Sequence, residues 1–183
     1  IRDSLTTTRR RSAESWRCSD LAKVKADAYV DRALTGGYLG TPYEQLDCQA
    51  FVEQVLKDCN ALSKNWRGSN QMWRDAVYDR SDDMAAIQPG EWVFKVSHDG
   101  GEIPRGYHDE MGNAYHVGIY CGNGDVIHST TGGVQMGTIS GWTNHAKCID
   151  VDYGDAASGD GADVRLEIAD LLERLADVIR HGV

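Results

Sequence analysis

The sequence predicts an α+β fold, in which helices come early in the chain and strands come later. Between residues 19 and 59, hydrophobic residues recur at steps of three and four, the spacing of amphipathic helices. After Gly90 the pattern changes to short runs rich in valine, isoleucine and tyrosine, which are typical of strands. Two of these runs are joined by "CGNGD", a strong signal for a β-hairpin.

The composition is that of one ordinary globular domain with a short appendage. Of the 183 residues, 41% are hydrophobic and 26% are charged, which is enough apolar material for a sizeable core. The formal net charge of −9 argues against a general nucleic-acid binder and against electrostatic adhesion to anionic membranes, because both need a basic surface. No run approaches the roughly 18 apolar residues of a membrane span. The first residues do not have the pattern of a secretory signal peptide, and the sequence does not indicate the cellular compartment.

The cysteine content indicates reduced thiols. There are five cysteines, an odd number, and no Cys-x-x-Cys pair is among them. This number and spacing of cysteines argue against a disulfide framework and against a structural zinc site. We expect a mostly reduced protein without a metal or other cofactor, in which one cysteine has a chemical role.

Two helices are predicted after a polar lead-in at residues 1–19. The first begins near Ser19 and is ended by "TGG". The second begins at Asp47 and turns one stripe of side chains toward the core. That stripe consists of Cys48, Phe51, Val52, Val55 and Cys59.

A third helix and the first strand follow. Loop and helix are expected over residues 60–85, which include "SNQMWRDAVYD", and Ser69 or Asn70 is the candidate N-cap. After "QPG", the run "EWVFKV" (91–96) predicts a strand. Residues 97–113 form a long, polar, glycine-containing insertion.

The remaining strands and the C-terminal segment complete the domain organisation. The hairpin consists of "AYHVGIY" and "DVIHST", and further strands are expected in "GVQMGTIS" and "AKCIDVDY". We expect one domain over residues 20–153, followed by a linker at 154–163 with linker composition. Residues 164–183 predict an amphipathic helix, which either docks on its own domain or drives oligomerisation.

Cys48 is the candidate nucleophile. Asp47 is a competent N-cap, so Cys48 is expected in the first helical turn, where free N–H groups and the helix dipole lower the pKa of a thiol. The same N–H groups are suited to stabilise an oxyanion. The alternative interpretation is a small buried thiol near a helix start. A nucleophilic cysteine also needs a base.

The candidate bases are His116 and His128, which both lie in the hairpin. A two-residue turn places His128 opposite Ile119, on the other face from His116. A three-residue turn places His128 opposite Gly118, so that both imidazoles share a face. Both turns are compatible with the sequence, and a nucleophile–base–orienter arrangement requires the second. Glycine at position 118 would then allow a helix end to approach closely.

With these motifs the sequence resembles the NlpC-type cell-wall cysteine peptidases, a branch of the papain-like superfamily. The family's "DCSGF" motif is represented by "DCQAF", and its "PGD-L-V-F-F" strand by "PGEWVF". Its most specific motif, "HVGIY-x-GNG-x-x-IH", is represented by "HVGIYCGNGDVIH" at 116–128. The resemblance covers residues 36–150. The variant form "GSNQMWRDAV" looks like versions in phage or prophage lysis and tail modules.

The resemblance implies a fold and roles for particular residues. In the papain-like NlpC-type fold, the helix that carries the cysteine packs on an antiparallel sheet that carries the histidines. By this resemblance Cys48 is the nucleophile, His116 the general base and His128 the orienting residue. Tyr43 matches a tyrosine that helps line the oxyanion side.

The resemblance also implies a function at the bacterial cell wall, reached by secretion or by lysis. The expected reaction is hydrolysis of stem or cross-bridge peptide bonds of peptidoglycan through an acyl-enzyme. Alternatives are an amidase or transpeptidase with the same triad, and a catalytically idle wall-binding or phage tail module. Asp47 and Gln49, with Tyr43, are expected to line the oxyanion and substrate side. Because Gln49 and Ala50 replace the family's serine and glycine, the exact contacts there are expected to differ.

Overall fold

The computed structural model describes residues 22–98, 107 and 109–154, and it confirms the α+β class. The helices of this part are α1 (Ala26–Thr35), α2 (Cys48–Asp58) and α3 (Ser69–Asp75). Its strands are β1 (Val24–Lys25), β2 (Val77–Ser81), β3 (Trp92–Ser97), β4 (Asn113–Gly122), β5 (Asp125–Thr130), β6 (Gly133–Thr138), β7 (Asn144–Cys148) and β8 (Val151–Asp152).

Six of the strands form one antiparallel sheet in the order β2-β7-β3-β4-β5-β6. The histidine-bearing strands β4 and β5 therefore lie side by side, with β3 on the other side of β4. Strands β1 and β8 form a separate parallel pair, in which Val24 lies opposite Val151.

The main core lies between the helices and one face of the sheet. Phe51 and Val52 of α2 are fully buried there against strand residues such as Trp92. The Trp92 indole N–H donates to the Tyr29 hydroxyl at 3.0 Å, which satisfies a polar group inside this core. A smaller cluster of Val93, Val126 and Trp142 covers the opposite face. Because both faces are covered, β3 is a continuous hydrophobic run rather than an alternating one.

The structure corrects two of the predicted elements. Helix α1 begins at Ala26 rather than near Ser19, since Val24 and Lys25 pair with β8. Residues 77–81, expected to be loop or helix, form β2, because Val77 pairs with Cys148 of β7. Both corrections come from pairing with strands far away in sequence, which local periodicity does not report.

The start of α3 also differs from the prediction. Its N-cap is Gly68, and no side chain caps it. The Ser69 hydroxyl instead donates to the Ala114 carbonyl at 2.7 Å, and the Asn70 side chain accepts from the Ala114 N–H at 2.8 Å. These polar side chains therefore fix the beginning of β4 against α3.

Several predictions fall on residues outside those described. They are the lead-in at 1–19, the linker at 154–163 apart from Gly154, the helix at 164–183, and most of the insertion at 97–113. Within the described segments, no helix combines the length and the hydrophobicity needed to span a membrane.

Candidate active site

Cys48 is the first residue of α2, as predicted. The Asp47 carboxylate caps the helix by accepting from the Ala50 N–H at 2.7 Å, which fixes where the helix begins. The loop before the helix is held to the far edge of the sheet. The Gly40 N–H donates to the Val134 carbonyl at 2.8 Å, and the buried Ser129 hydroxyl donates to the Leu46 carbonyl.

The sulfur lies next to β4 where that strand separates from β5. The paired register of β4 with β5 ends at Ile119 and Ile127. Two residues further along β4, the Val117 N–H is hydrogen-bonded to the Cys48 sulfur, as is the Gln49 N–H of the helix itself. The Val117 N–H belongs to the peptide group that joins Val117 to His116, so the sulfur lies against the backbone of the candidate base.

The pKa of Cys48 differs from the prediction. Burial is the largest influence and raises the pKa of the thiol, since only 7% of the residue is exposed. Hydrogen bonds from Val117, Tyr43 and Gln49 lower the pKa but do not offset burial. The Gln49 N–H at the helix start lowers the pKa as predicted, but burial outweighs it, so the pKa of the Cys48 thiol is raised overall and the neutral thiol is favoured at rest.

The hairpin puts the two histidines on one face. At its tip, Asn123 and Gly124 both have positive φ, which is the two-residue turn. The register then shifts between Tyr120 and Gly122, so that Ile119 lies opposite Ile127, the register of the three-residue alternative. The tip is therefore the two-residue turn, and the bulge beyond it gives the strands the register expected from the three-residue turn.

In this register the two imidazoles are in contact. His116 Nε2 lies 2.8 Å from His128 Nδ1, a hydrogen bond between the rings. One nitrogen must donate and the other accept, so one of these two nitrogens carries a proton and the other does not. His116 Nδ1 is left for other partners.

A second β-bulge, which the sequence did not predict, aims His116. Lys95 lies opposite His116, but Val96 lies opposite Ala114, so Tyr115 is an extra residue in β4. Ala114 and Val117 both remain buried in the main core although they are three residues apart, and Tyr115 is 55% exposed. Bulges of this kind bend a strand and redirect a side chain, and here the redirected residue is His116.

Trp142 also belongs to this site, and no local sequence pattern identified it. Its ring stacks on His116, with centroids 5.2 Å apart and planes 20° from parallel, and contacts His128 edge-on at 5.3 Å. Gly118 makes this possible, because a Cβ there would lie 3.0 Å from both Trp142 Cη2 and His128 Cβ. The prediction that Gly118 admits a helix end is corrected: it admits the tryptophan and the second histidine.

Both histidines are held neutral by their surroundings. Burial is the largest cause and, with the charges of His128 and Lys95, lowers the pKa of His116 to about 4. Burial and then the charge of Lys95 lower the pKa of His128. Imidazolium is thus disfavoured at both rings near neutral pH.

The residues predicted to line the oxyanion side have different surroundings. The Tyr43 hydroxyl interacts with the Cys48 sulfur, and burial followed by the charge of Cys48 raises the pKa of Tyr43. The Gln49 amide, by contrast, donates to the Glu53 carboxylate at 2.9 Å and to the Trp66 carbonyl. Both of its N–H groups are engaged inside the protein, and the Asp47 carboxylate is engaged in the helix cap.

An open cleft of about 310 Å³ adjoins the site at Tyr43 and His116, and neither Cys48 nor His128 is among its lining residues. It is lined by Tyr43, Lys95, Tyr115, His116, Thr130 and Thr131. Its walls therefore offer hydroxyl groups, two aromatic rings, one imidazole and one cation. Among the residues that the structure describes, no three His, Cys, Asp or Glu side chains are grouped to hold a metal ion.

Comparison with solved structures supports the fold. A NlpC/P60 family protein from Bacillus cereus superposes with a TM-score of 0.52 at 21% identity, covering 70% of this chain and 42% of that chain. NlpC2 from Trichomonas vaginalis gives 0.51 at 18% identity, covering 67% and 46%. NlpC1 from the same organism gives 0.50 at 17% identity, covering 74% and 48%.

A comparison with curated protein sequences found no match. The family comparison was positive: the model of the NlpC/P60 family matches residues 36–151, which contain the helix start at Cys48 and the whole His116–His128 hairpin. The chain belongs to the NlpC/P60 family.

Proposed function

We propose that this protein is a cysteine hydrolase that cleaves stem or cross-bridge peptide bonds of bacterial peptidoglycan through an acyl-enzyme. Cys48 is the nucleophile, His116 the general base and His128 the residue that orients the base. One observation carries the proposal: the Cys48 sulfur lies against the peptide group of His116, whose ring is hydrogen-bonded at 2.8 Å to His128. Family membership supports peptidoglycan as the substrate.

We assign the tautomer of the hydrogen bond between the rings, and that tautomer decides which nitrogen acts as the base. When His116 Nε2–H donates to His128 Nδ1, the lone pair of His116 is on Nδ1. Because the pKa of Cys48 is raised and the pKa of His116 is lowered, the resting pair is a thiol and a neutral imidazole. The proton then moves during attack, as general-base catalysis requires, rather than beforehand.

The reaction balances with these residues and one water molecule. As the Cys48 sulfur bonds to the scissile carbonyl carbon, its proton passes to His116 Nδ1. Collapse of the tetrahedral intermediate breaks the C–N bond, and His116 returns the proton to the leaving amine, which leaves a thioester. His116 then takes a proton from water and the hydroxide attacks the thioester. As the C–S bond breaks, His116 returns this proton to the Cys48 sulfur, and a carboxylic acid product is released.

Two groups are placed to stabilise the oxyanion. The Cys48 N–H is in the first helical turn, whose N–H groups have no acceptor within the helix. The Tyr43 hydroxyl already interacts with the sulfur, so it lies beside the carbon that the sulfur attacks. Gln49 is not assigned this role, because its amide is engaged by Glu53 and Trp66.

Digestion of purified peptidoglycan tests this function. We expect soluble fragments whose masses identify one cleaved peptide bond, a thioester adduct on Cys48 in a quenched reaction, and no products from Cys48→Ala. Cys59→Ala, at the other end of α2, is the matched control and should remain active. Digestion by Cys48→Ala at the wild-type rate would refute the proposal. An added amine that ends up in the product would indicate transpeptidation instead of hydrolysis.

A further inference from the structure

Trp142 lies against both histidines, and the reaction described above gives it no role. It is in the loop between β6 and β7, and only 7% of it is exposed. Its ring stacks on His116 with the planes 20° from parallel, and it meets His128 edge-on. The Lys95 ammonium lies 5.4 Å from the centroid of the same ring. One tryptophan therefore limits the space of three side chains beside the reacting groups.

The stacked ring restricts how the His116 imidazole can turn. The last side-chain torsion of a histidine has broad preferences, so the ring needs neighbours to fix its angle. The 2.8 Å bond from His116 Nε2 to His128 Nδ1 is directional, and rotation of either ring weakens it. Rotation of His116 would drive an edge of its ring into the flat face of Trp142. The tryptophan therefore favours the angle at which the two histidines meet.

Thr143 fixes the tryptophan to β3. Its N–H donates to the Phe94 carbonyl at 3.1 Å, and its hydroxyl accepts from the Val96 N–H at 2.8 Å. The hydroxyl thereby satisfies a strand N–H just beyond the end of β7, which begins at Asn144. Val96 is also the residue of β3 at which the register with β4 shifts. Trp142 and the bulge that aims the base are therefore fixed at the same place on β3.

We propose that Trp142 and Thr143 are positioning residues: Thr143 fastens the tryptophan to β3, and the tryptophan ring holds the His116 imidazole where its Nε2 meets His128. This inference rests on the proposed function and adds two residues that act through the base. The alternative is that Trp142 only fills the cluster that it forms with Val93 and Val126.

NMR can observe the bond between the rings without any peptidase activity. When the histidines carry the NMR-active nitrogen isotope, an N–H···N bond transmits a scalar coupling between His116 Nε2 and His128 Nδ1. We expect this coupling in wild type and in Trp142→Phe, which keeps a flat ring. We expect its loss in Trp142→Leu, which keeps apolar bulk without the ring. Trp73→Phe, in the main core against Phe94, is the control and should keep the coupling even if the protein is less stable.

Thr143 provides a milder second change, which gives the answer if Trp142→Leu does not fold. Thr143→Val keeps the shape of the side chain and removes the hydroxyl that binds the Val96 N–H. We expect the coupling to be lost in Thr143→Val and kept in Thr143→Ser. Thr35→Val is the matched control, because it also removes a hydroxyl bonded to the backbone, in this case to the Asp31 carbonyl at 2.8 Å. It should match wild type.

Kinetics on peptidoglycan fragments separate positioning from substrate binding. Misplacing a reacting group by about 1 Å costs about 10²-fold in rate, so we expect kcat to fall by about 10- to 100-fold in Trp142→Leu and Thr143→Val, with KM nearly unchanged. A rise in KM alone would refute positioning.

The NMR result distinguishes this inference from the proposed function. If wild type does not cleave peptidoglycan but the coupling is lost in Trp142→Leu and Thr143→Val, the proposed function fails and the positioning of His116 stands. If the coupling is absent from wild type, or if folded Thr143→Val keeps it at full size, the proposed positioning is refuted, whatever the peptidase activity.

Discussion

His116 Nε2 and His128 Nδ1 are 2.8 Å apart, although the two residues are twelve positions apart on neighbouring strands. This bond depends on the bulge near the hairpin tip, which shifts the register so that both rings occupy one face. It also depends on Gly118, which leaves room for His128 and Trp142 between them. The position of the His116 ring thus depends on the strand register and on close packing around Gly118. Substitutions at these positions test each dependence.

Removing the acceptor for His116 should slow the reaction without preventing binding. In His128→Ala, His116 loses the bond that fixes its ring and its tautomer, and we expect kcat to fall by about 10²-fold or more. The substitution His128→Asn keeps an acceptor near the position of Nδ1 and should recover part of the rate. Because the charge of His128 helps to lower the pKa of His116, the acid limb of the kcat profile should also move to higher pH. An unchanged limb would indicate a purely structural role for His128.

The pH dependence follows from the directions of the pKa shifts. The pKa of His116 is lowered to about 4, so the imidazole remains the neutral base well below its ordinary 6.5. We expect kcat/KM to be retained at about pH 5 and to be lost toward pH 4. Since the pKa of Cys48 is raised above its ordinary 9.0, alkylation by iodoacetamide should increase only in alkaline solution. Selective alkylation of Cys48 near pH 6 would contradict the neutral resting pair.

Tyr43 should contribute to the transition state through its hydroxyl group. Tyr43→Phe removes the hydroxyl and keeps the ring, and loss of one oxyanion donor lowers kcat by about 10²–10³-fold in other enzymes. We expect a loss toward the lower end here, because the Cys48 N–H remains. Tyr78→Phe, on β2, is the control. If only KM rises in Tyr43→Phe, the hydroxyl binds substrate and does not stabilise the oxyanion.

Gly118→Ala should disturb the packing between the histidines. The new methyl group would lie 3.0 Å from His128 Cβ, Trp142 Cη2 and Val126 Cγ1, tighter than ordinary contact. Overpacking of this kind costs about 1–3 kcal/mol of unfolding free energy, which urea denaturation measures. At Gly132 an added Cβ meets nothing closer than 3.5 Å, so Gly132→Ala should change stability little. Equal stability of the two variants would show that Trp142 moves aside without cost.

Local sequence signals were sufficient for the elements that carry the reacting groups. The Asp47 cap acts within three residues of itself, so the start of α2 at Cys48 was predictable. The glycine-rich turn likewise identified the hairpin. The choice between its two registers was not predictable, because the bulge at Cys121 combines a feature of each. Strand β2 was missed, since its pairing partner lies in β7, far along the chain.

The sequence by itself determined which elements carry the candidate catalytic residues and their order along the chain. A cysteine comes first, at the capped start of a helix, and two histidines follow on a hairpin. Only the tertiary structure decided the protonation state of these groups, because burial arises when α2, the sheet and Trp142 pack together. Helix caps and turns are satisfied by neighbours in sequence, and a pattern of a few residues specifies them. Desolvation, the bulge at Tyr115 and the placement of Lys95 opposite His116 depend on contacts between distant segments, which no short pattern encodes.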